Sequence, residues 1–473
     1  MSEFSRELQA TAALNYPVSL DAFSQNIPME WVTEAVKETG RATVRKRRFP
    51  AEQAVWLVLG IGLMRNRSIN EVCDKLDLAF PDAKGELPLL ASSSISKARY
   101  RIGVEPLRHL FHTTATEWEK EETNYATCGL KILCVDGTQF KVPDTGDNQL
   151  LGYASGKATF PSVLAVTLMS ARTHLISDVA FGPITQSEVS YAQQLVGSAP
   201  ENTLTLFDRG FLSAELFQAW QGTGKNTHWL TPIKSKMRYD VIQEYSAYDK
   251  LIEMPVSPQA RKRYPHLEKT WRARLILIPE PNGEIKGFIT SLECPVTYPL
   301  KEILTVYWER WETEEGYGEL KQRQLNNIAL LRSQTRVGIY QELWGILIAY
   351  NLVRLEMSRM AKAYCVEPLR ISFINALRLI QDEFLWCSGR SPGTIPQKLK
   401  ALRESGKRLI LPQKRKRQSV PRQVLCKTSR YPYKKKNRSC LSERYYPREG
   451  FLYRQGSEFT SPCPTFHTES AGI

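Results

Sequence analysis

The sequence predicts an α/β core flanked by helical regions, on three observations. Up to about residue 120 the apolar residues recur at helical spacing. Near residue 130 the pattern changes to short apolar runs that end on Asp, Gly or Pro. Beyond residue 330 a long, strongly apolar helical run returns. The expected organisation is a helical N-terminal domain over 1–120 and an α/β core over 121–330 with a β-rich insertion at about 225–300. A C-terminal helical region, a candidate for dimerisation, follows over 331–411, and a basic tail over 412–473.

Residues 1–29 are mixed. After Pro50 the run AEQAVWLVLGIGLMR is a buried helix, and a second helix is expected around Asn70–Leu76. Ser92-Ser93-Ser94 offers N-cap residues for a helix Ile95–Arg101, which Gly103 ends, and another helix starts at Glu105. That pair suits a helix-turn-helix element or a plain helical hairpin. Leu130–Val135, Pro161–Met169 and His174–Ala180 are expected as strands of an antiparallel meander. Glu188–Val196 is a helix, Leu204–Phe207 a strand and Ala214–Trp220 the helix behind it. Asp136 and Asp208 are then expected at the C-terminal tips of buried strands, where open α/β sheets gather ligands. HWLTPI, RARLILIP and IKGFITSL are β-like and form the insertion, and Tyr340–Met360 is a long apolar helix.

The chain has 473 residues, 42% hydrophobic and 24% charged, with room for two or three domains and a sizeable core. No apolar run is long enough for a bilayer and no signal-peptide pattern opens the chain, so a cytoplasmic protein with no membrane partner is expected. Nine cysteines without a CxxC pair fit reduced thiols better than a disulfide framework or a zinc site. The net charge is +15, and residues 412–450 hold thirteen Lys or Arg against two Glu. A second cluster comprises Arg45, Lys46, Arg47 and Arg48. Concentrated positive charge points to a polyanion, most often nucleic acid. The tail has too little to bury to fold alone.

The most informative segment is KEILTVYWERWETEEGYGELK. Tyr307, Arg310, Glu314 and Lys321 follow at steps of three, four and seven, which bring all four to one helix face. Of the six glutamates there, only Glu314 falls near the line of Tyr307 and Arg310. A phenol, a guanidinium, a carboxylate and an ammonium so aligned suit a surface that meets phosphate and metal together. Taken alone, a solvated, charge-laced helix is the competing reading. Asp136, Asp208 and Glu314 would supply oxygen-only ligation suited to Mg²⁺ or Mn²⁺. Two such ions can activate a water or a 3′-hydroxyl and stabilise the leaving oxygen of a phosphoryl displacement. Arg310 and Lys321 would neutralise phosphates, and Tyr307 could bond a phosphate oxygen.

With these residues the chain resembles the DDE transposases of the bacterial insertion-sequence-four group. The resemblance rests on Asp136-Gly137-Thr138, Asp208-Arg209-Gly210-Phe211, the Y-x2-R-x3-E-x6-K signature from Tyr307 to Lys321, and the N-terminal stretches around Arg45–Leu57 and Ser94–Arg99. It spans roughly residues 20 to 437. It implies a ribonuclease-H-like catalytic core with a β-strand insertion between the second Asp and the Glu. It also implies Mg²⁺-dependent cleavage at transposon ends, with two ions that Mn²⁺ could replace, and strand transfer into target DNA. The implied partners are double-stranded DNA, as terminal inverted repeats and target, and a second copy in a homodimer that cleaves in trans. Asp136, Asp208 and Glu314 are the implied metal ligands and catalytic residues. Tyr307, Arg310 and Lys321 are the implied end contacts, and Lys97, Arg99 and Arg101 with Arg45, Arg47 and Arg48 are further candidates for DNA binding. Two departures stand out. IKGFITSL has no Trp, so Trp229 and Trp271 are expected to be packed rather than to stack on a flipped base. Residues beyond Asn437 do not look like a family terminus. The alternatives to an active transposase are a catalytically inactive DNA-binding derivative and a metal-dependent nuclease of the same fold.

Overall fold

The structure, a computed structural model, describes residues 20, 25–42, 49–78, 91–122, 126–234, 237–279, 285–326, 330–387 and 394–412. Helices α1 (Met29–Glu38), α2 (Ala51–Leu63), α3 (Ile69–Lys75), α4 (Ser92–Ile102) and α5 (Glu105–Glu119) come first. α2 is apolar on every side and buried on every side. Ser68 and Glu71 form a capping box that starts α3. α4 begins one turn earlier than expected. Ala91 is its N-cap and the three serines fill its first turn, where Ser92 exchanges hydrogen bonds with Asn70 instead of capping. Gly103, at φ +65°, makes the turn into α5.

The sheet follows: β1 (Ala126–Thr127), β2 (Leu130–Lys141), β3 (Ser162–Ser170), β4 (Ile176–Pro183), helix α6 (Glu188–Gln194), β5 (Thr203–Phe207), α7 (Ala214–Gln221) and β6 (Thr227–Pro232). Then come β7 (Asp240–Ser246), β8 (Asp249–Pro255), α8 (Pro258–Arg263), β9 (Thr270–Pro279) and β10 (Ile285–Thr290). The strands lie in the order β4-β3-β2-β5-β6-β10-β9-β8-β7. β2, β3 and β4 are an antiparallel meander, and β5 and β6 run parallel to β2. This is the ribonuclease-H-like arrangement expected of the core.

Two expectations about strands need correction. The strand expected to stop at Val135 continues to Lys141, because β3 pairs with it through Lys141↔Ser162. Asp136 therefore lies within β2 rather than at its tip. The parallel pairing does stop there: Val135↔Phe207 is its last pair, so Asp136 and Asp208 each stand one residue beyond it. HWLTPI belongs to the core, as β6 beside β5. The insertion begins after it and is continuous with the core, since β10 pairs with β6 and β9, β8 and β7 extend the same sheet.

After the sheet come α9 (Leu300–Tyr307), α10 (Trp311–Gly318), α11 (Arg336–Ala363), α12 (Phe373–Cys387) and α13 (Ile395–Ser405). The helices before and after the sheet close on one shared hydrophobic core. Val55, Trp56 and Leu110 sit in it with Trp344, Leu347 and Leu399, and Phe140, Val163 and Met169 of the sheet complete it. α2 crosses α11 at two glycines. A Cβ on Gly62 would stand 2.5 Å from the carbonyl carbon of Gly345, and one on Gly345 would stand 2.5 Å from the carbonyl oxygen of Val58. On the opposite side of the sheet Phe207 and Trp229 pack with Phe217 and Trp220 of α7, and α6 adds Tyr191 and Ala192. Trp229 stacks on Phe217 with centroids 4.5 Å apart and Trp271 lies 5.5 Å from Trp229, so both tryptophans are packed as expected.

Candidate active site

Asp136 and Asp208 meet because parallel strands keep neighbours level. Leu204 and Leu206 share one side of the sheet with Ile132 and Cys134, and strand alternation directs Asp136 and Asp208 to that side. The side is covered by the segment 300–324, which is not one helix. α9 ends at Tyr307, a 3₁₀ turn spans Trp308–Arg310, α10 spans Trp311–Gly318, and a π-helical turn spans Glu319–Gln324.

The line of Tyr307, Arg310 and Glu314 survives this, but it is not a surface stripe. It faces the sheet, and two of its members are buried. The ring of Tyr307 packs 4.5 Å from that of Phe288 and against Trp308, within the hydrophobic cluster. Burial pushes its phenol up to about 12, with Arg310 working the other way. Arg310 stands between the carboxylates. Its Nη1 is 3.6 Å from Asp136 Oδ2 and its Nη2 is 3.4 Å from Glu314 Oε1. Burial works against that guanidinium, yet Tyr307, Asp136, Asp208 and Glu314 raise its pKa above the ordinary value. The sequence alone suggests a phosphate for Arg310; in the fold it is occupied by two acids. Lys321 lies within the π turn, half-buried, with Nζ 5.5 Å from the ring centroid of Phe140, and burial lowers its pKa.

Asp136 is strongly perturbed. Burial drives its pKa to about 6, with Glu188 and Asp208 adding to the rise. The Gly137 amide and Arg310 oppose it. That amide donates to Asp136 Oδ1 at 2.8 Å, and the Tyr317 hydroxyl, on α10, is 2.5 Å from the Asp136 carbonyl. Tyr317 thus ties α10 to β2 beside the acid. Asp208 is exposed at the end of β5, with Gly210 N 3.5 Å from Oδ2. Glu314 projects outward, its side chain 46% exposed.

The other glutamates are accounted for differently. Glu309 forms a two-pronged pair with Arg172. Glu312 lies 3.5 Å from His174, and Glu302 and Glu315 are exposed. Glu319 is buried among Arg354, His174 and Tyr350. Among the described residues no three His, Cys, Asp or Glu side chains come close enough to chelate one ion as they stand. The donor chemistry nevertheless suits a hard divalent cation. The acids offer oxygen only, and the shortfall of positive charge at Asp136 is what such an ion would fill.

Of the N-terminal candidates, Lys97 and Arg101 are exposed on α4. Arg99 is turned inward: its Nη2 lies 3.4 Å from both Ser333 Oγ and the Gly338 carbonyl, at the start of α11, and burial lowers its pKa. It serves packing. Arg45, Arg47 and Arg48, and the tail from residue 413, lie outside the described residues. Sequence reasoning missed Glu188, whose charge is felt at Asp136 and which itself feels Asp208. Its only sequence signal is the Gly after Asp136, which leaves room for it.

Comparison with known proteins fits this geometry. Residues 17–112 match the family described as insertion element 4 transposase N-terminal, and residues 127–352 match the transposase DDE domain. The chain is 34% identical over 420 residues to transposase InsG for insertion sequence element IS4 of Escherichia coli strain K12, covering 87% of this chain and 93% of that one. It is 30% identical over 237 residues to the putative transposase InsZ of the same organism, covering 48% and 76%. A solved piggyBac transposase synaptic complex with hairpin DNA aligns with TM-score 0.42 at 12% identity, covering 86% of this chain and 88% of that one.

Proposed function

This chain belongs to the insertion-element-4 family of DDE transposases, enzymes acting on DNA, and from that premise we propose that Asp136, Asp208 and Glu314 are its catalytic, metal-holding acids. The observation that supports this most is the register of β2 and β5. It stands Asp136 and Asp208 side by side, with Arg310 joining Asp136 to Glu314.

The family generally uses divalent metal ions. Two Mg²⁺ ions, replaceable by Mn²⁺, would be held by these three acids. When bound, they supply Lewis-acid stabilisation of the attacking and leaving oxygens of a phosphodiester. The protein's own part is positional. Tyr317 and the Gly137 amide fix Asp136. Arg310 balances Asp136 and Glu314 in the free protein, and its guanidinium would be available to a DNA phosphate if those acids held a cation instead. Lys321 stands along β2 from Asp136, where a phosphate contact would repay its desolvation. Tyr307 contributes its buried ring to the wall behind Arg310 and its hydroxyl to the guanidinium. Lys97 and Arg101 are the exposed cations of α4 for an approaching duplex, and Arg45, Arg47 and Arg48 add charge from the preceding segment. The working unit on DNA is a homodimer, acting in the cytoplasm on nucleoid DNA. No helix of the described residues is long and apolar enough to cross a membrane.

The test is to incubate the full chain with Mg²⁺ and DNA carrying the terminal repeats of its own element. A 3′-nick at the repeat boundary followed by joining to target DNA is expected. Asp136→Asn and Asp208→Asn should each lower nicking by at least about a hundredfold while DNA binding, which rests on phosphate contacts, persists. Normal nicking by either variant overturns the assignment. Hydrolysis with no joining would favour the nuclease reading.

A further inference from the structure

α10 carries Glu314, yet the chain on either side does little to fix its height above the sheet. It is eight residues long, with a 3₁₀ turn before it and a π-helical turn after it. Its buried residues are Thr313, Gly316 and Tyr317, at positions i, i+3 and i+4 of one face. Gly316 brings that face close to the sheet: a Cβ there would stand 2.7 Å from Sδ of Met169 on β3. Tyr317 then fastens it.

The fastening is directional. Tyr317 Oη is 2.5 Å from the Asp136 carbonyl oxygen and 2.8 Å from Thr167 Oγ1. A carbonyl only accepts, so the single proton of the phenol goes to Asp136. The Thr167 hydroxyl must then donate to the phenol. Thr167 is the cross-strand partner of Asp136, so the two side chains leave the same side of the sheet. Both Thr167 and Tyr317 are buried. Tyr317 therefore bonds β2 and β3 together at the level of the first acid, and it stands three residues, one helical step, from Glu314. Arg310 also joins β2 to α10, but through a flexible side chain with contacts of 3.6 Å and 3.4 Å.

We infer that Thr167 and Tyr317 are positioning residues for the reaction: their paired hydroxyls set how far Glu314 stands from Asp136, and with it the separation of the acids that hold the metal. This rests on the reading of Asp136, Asp208 and Glu314 as metal-holding acids.

Tyr317→Phe removes one oxygen and keeps the ring in the core. Mn²⁺ binding to the full chain without DNA, read from the electron paramagnetic resonance of free Mn²⁺, should weaken about tenfold. Nicking of a pre-bound end complex, assayed well below the unfolding transition, should slow about ten- to hundredfold, the cost of a misplaced reacting group. The DNA concentration that half-saturates the protein should stay the same. Thr167→Val should act in the same direction and more weakly, because the bond from Tyr317 to Asp136 remains, and Thr167→Ser should behave as the unaltered chain. Should Tyr317→Phe fail to fold, the two Thr167 variants decide alone. Unchanged Mn²⁺ binding and nicking in Tyr317→Phe overturns the inference. So does an equal loss in Thr167→Ser and Thr167→Val, which would show that the shape of the residue matters and its hydroxyl does not. Asp136→Asn separates the two levels. If it abolishes Mn²⁺ binding and nicking while Tyr317→Phe alters neither, only the role of the hydroxyls falls. If Asp136→Asn also leaves both intact, the reading of the site itself falls.

Discussion

Six glutamates crowd residues 302–319, and their surroundings give them different work. Glu314 stands out from the fold toward Arg310 and solvent. Glu319, five residues on, is an internal brace. Burial alone would raise its pKa, but Arg354, His174 and Arg323 overcome that and hold it near 2. Glu314→Gln should therefore lower nicking by at least about a hundredfold and leave the thermal transition where it is. Glu319→Gln strands Arg354 in the interior and should cost roughly 3 kcal/mol of stability, read by chemical denaturation. The sign of the pH effect follows from the depressed pKa. The folded protein holds Glu319 ionised where the unfolded chain would protonate it. Its contribution is complete above the ordinary carboxylate value of 4.5 and is lost as pH falls through about 2. The stability gap between the unaltered chain and Glu319→Gln should shrink over that window, and a gap independent of pH there would contradict the ionised brace.

At the scale of elements, the sequence disclosed types well and partners poorly. The all-round apolarity of 51–63 marked a buried helix, but not that α11, almost 300 residues away, would cover it. Short apolar runs located β3 and β4, whereas β2 outlasted its apolar stretch because a hairpin partner, invisible in local pattern, holds residues 136–141. The spacing of Tyr307, Arg310 and Glu314 gave the right face. It did not disclose which way that face points, since the same polar residues suit a solvated surface or a sheet bearing acids. Glu188 was hidden for the same reason: only the three-dimensional path sets α6 against Gly137. The crossing of α2 and α11 is the element contact most open to test. Gly62→Ala drives a methyl into the backbone of Gly345, where no rotamer can yield, so the helices must separate. A loss of about 1–3 kcal/mol is expected, measured by urea unfolding. Gly146→Ala, which meets nothing within 4 Å, is the control. Equal stability of the two variants would mean that the helices do not cross this closely.

At the scale of the whole molecule, the shared core has a practical consequence. The N-terminal helices bury their apolar faces against α11, so residues 1–120 are not expected to fold alone, and tests of DNA recognition belong in the full chain. Lys97→Ala with Arg101→Ala should weaken binding to the terminal repeat and lower its salt slope by about 2, as read in binding isotherms at several salt concentrations. An unchanged slope would remove α4 from the DNA interface. The C-terminal boundary of the body is also visible. Leu411 N bonds the Arg370 carbonyl and Ser372 N bonds the Leu409 carbonyl, so the body extends at least to Leu411. Residues 413–473 hold fourteen Lys or Arg against four Glu, so a stop after Pro412 lowers the net charge from +15 to +5. Charge of that density contributes sequence-independent affinity through release of counter-ions, and little else is required of it. The truncated chain should unfold at the same temperature as the full one. It should bind DNA more weakly, with a shallower dependence of binding on salt, and nick a pre-bound end at low salt at near-normal rate. A lost or lowered unfolding transition would show that the tail belongs to the core. Unaltered salt dependence would show that its charge never reaches DNA.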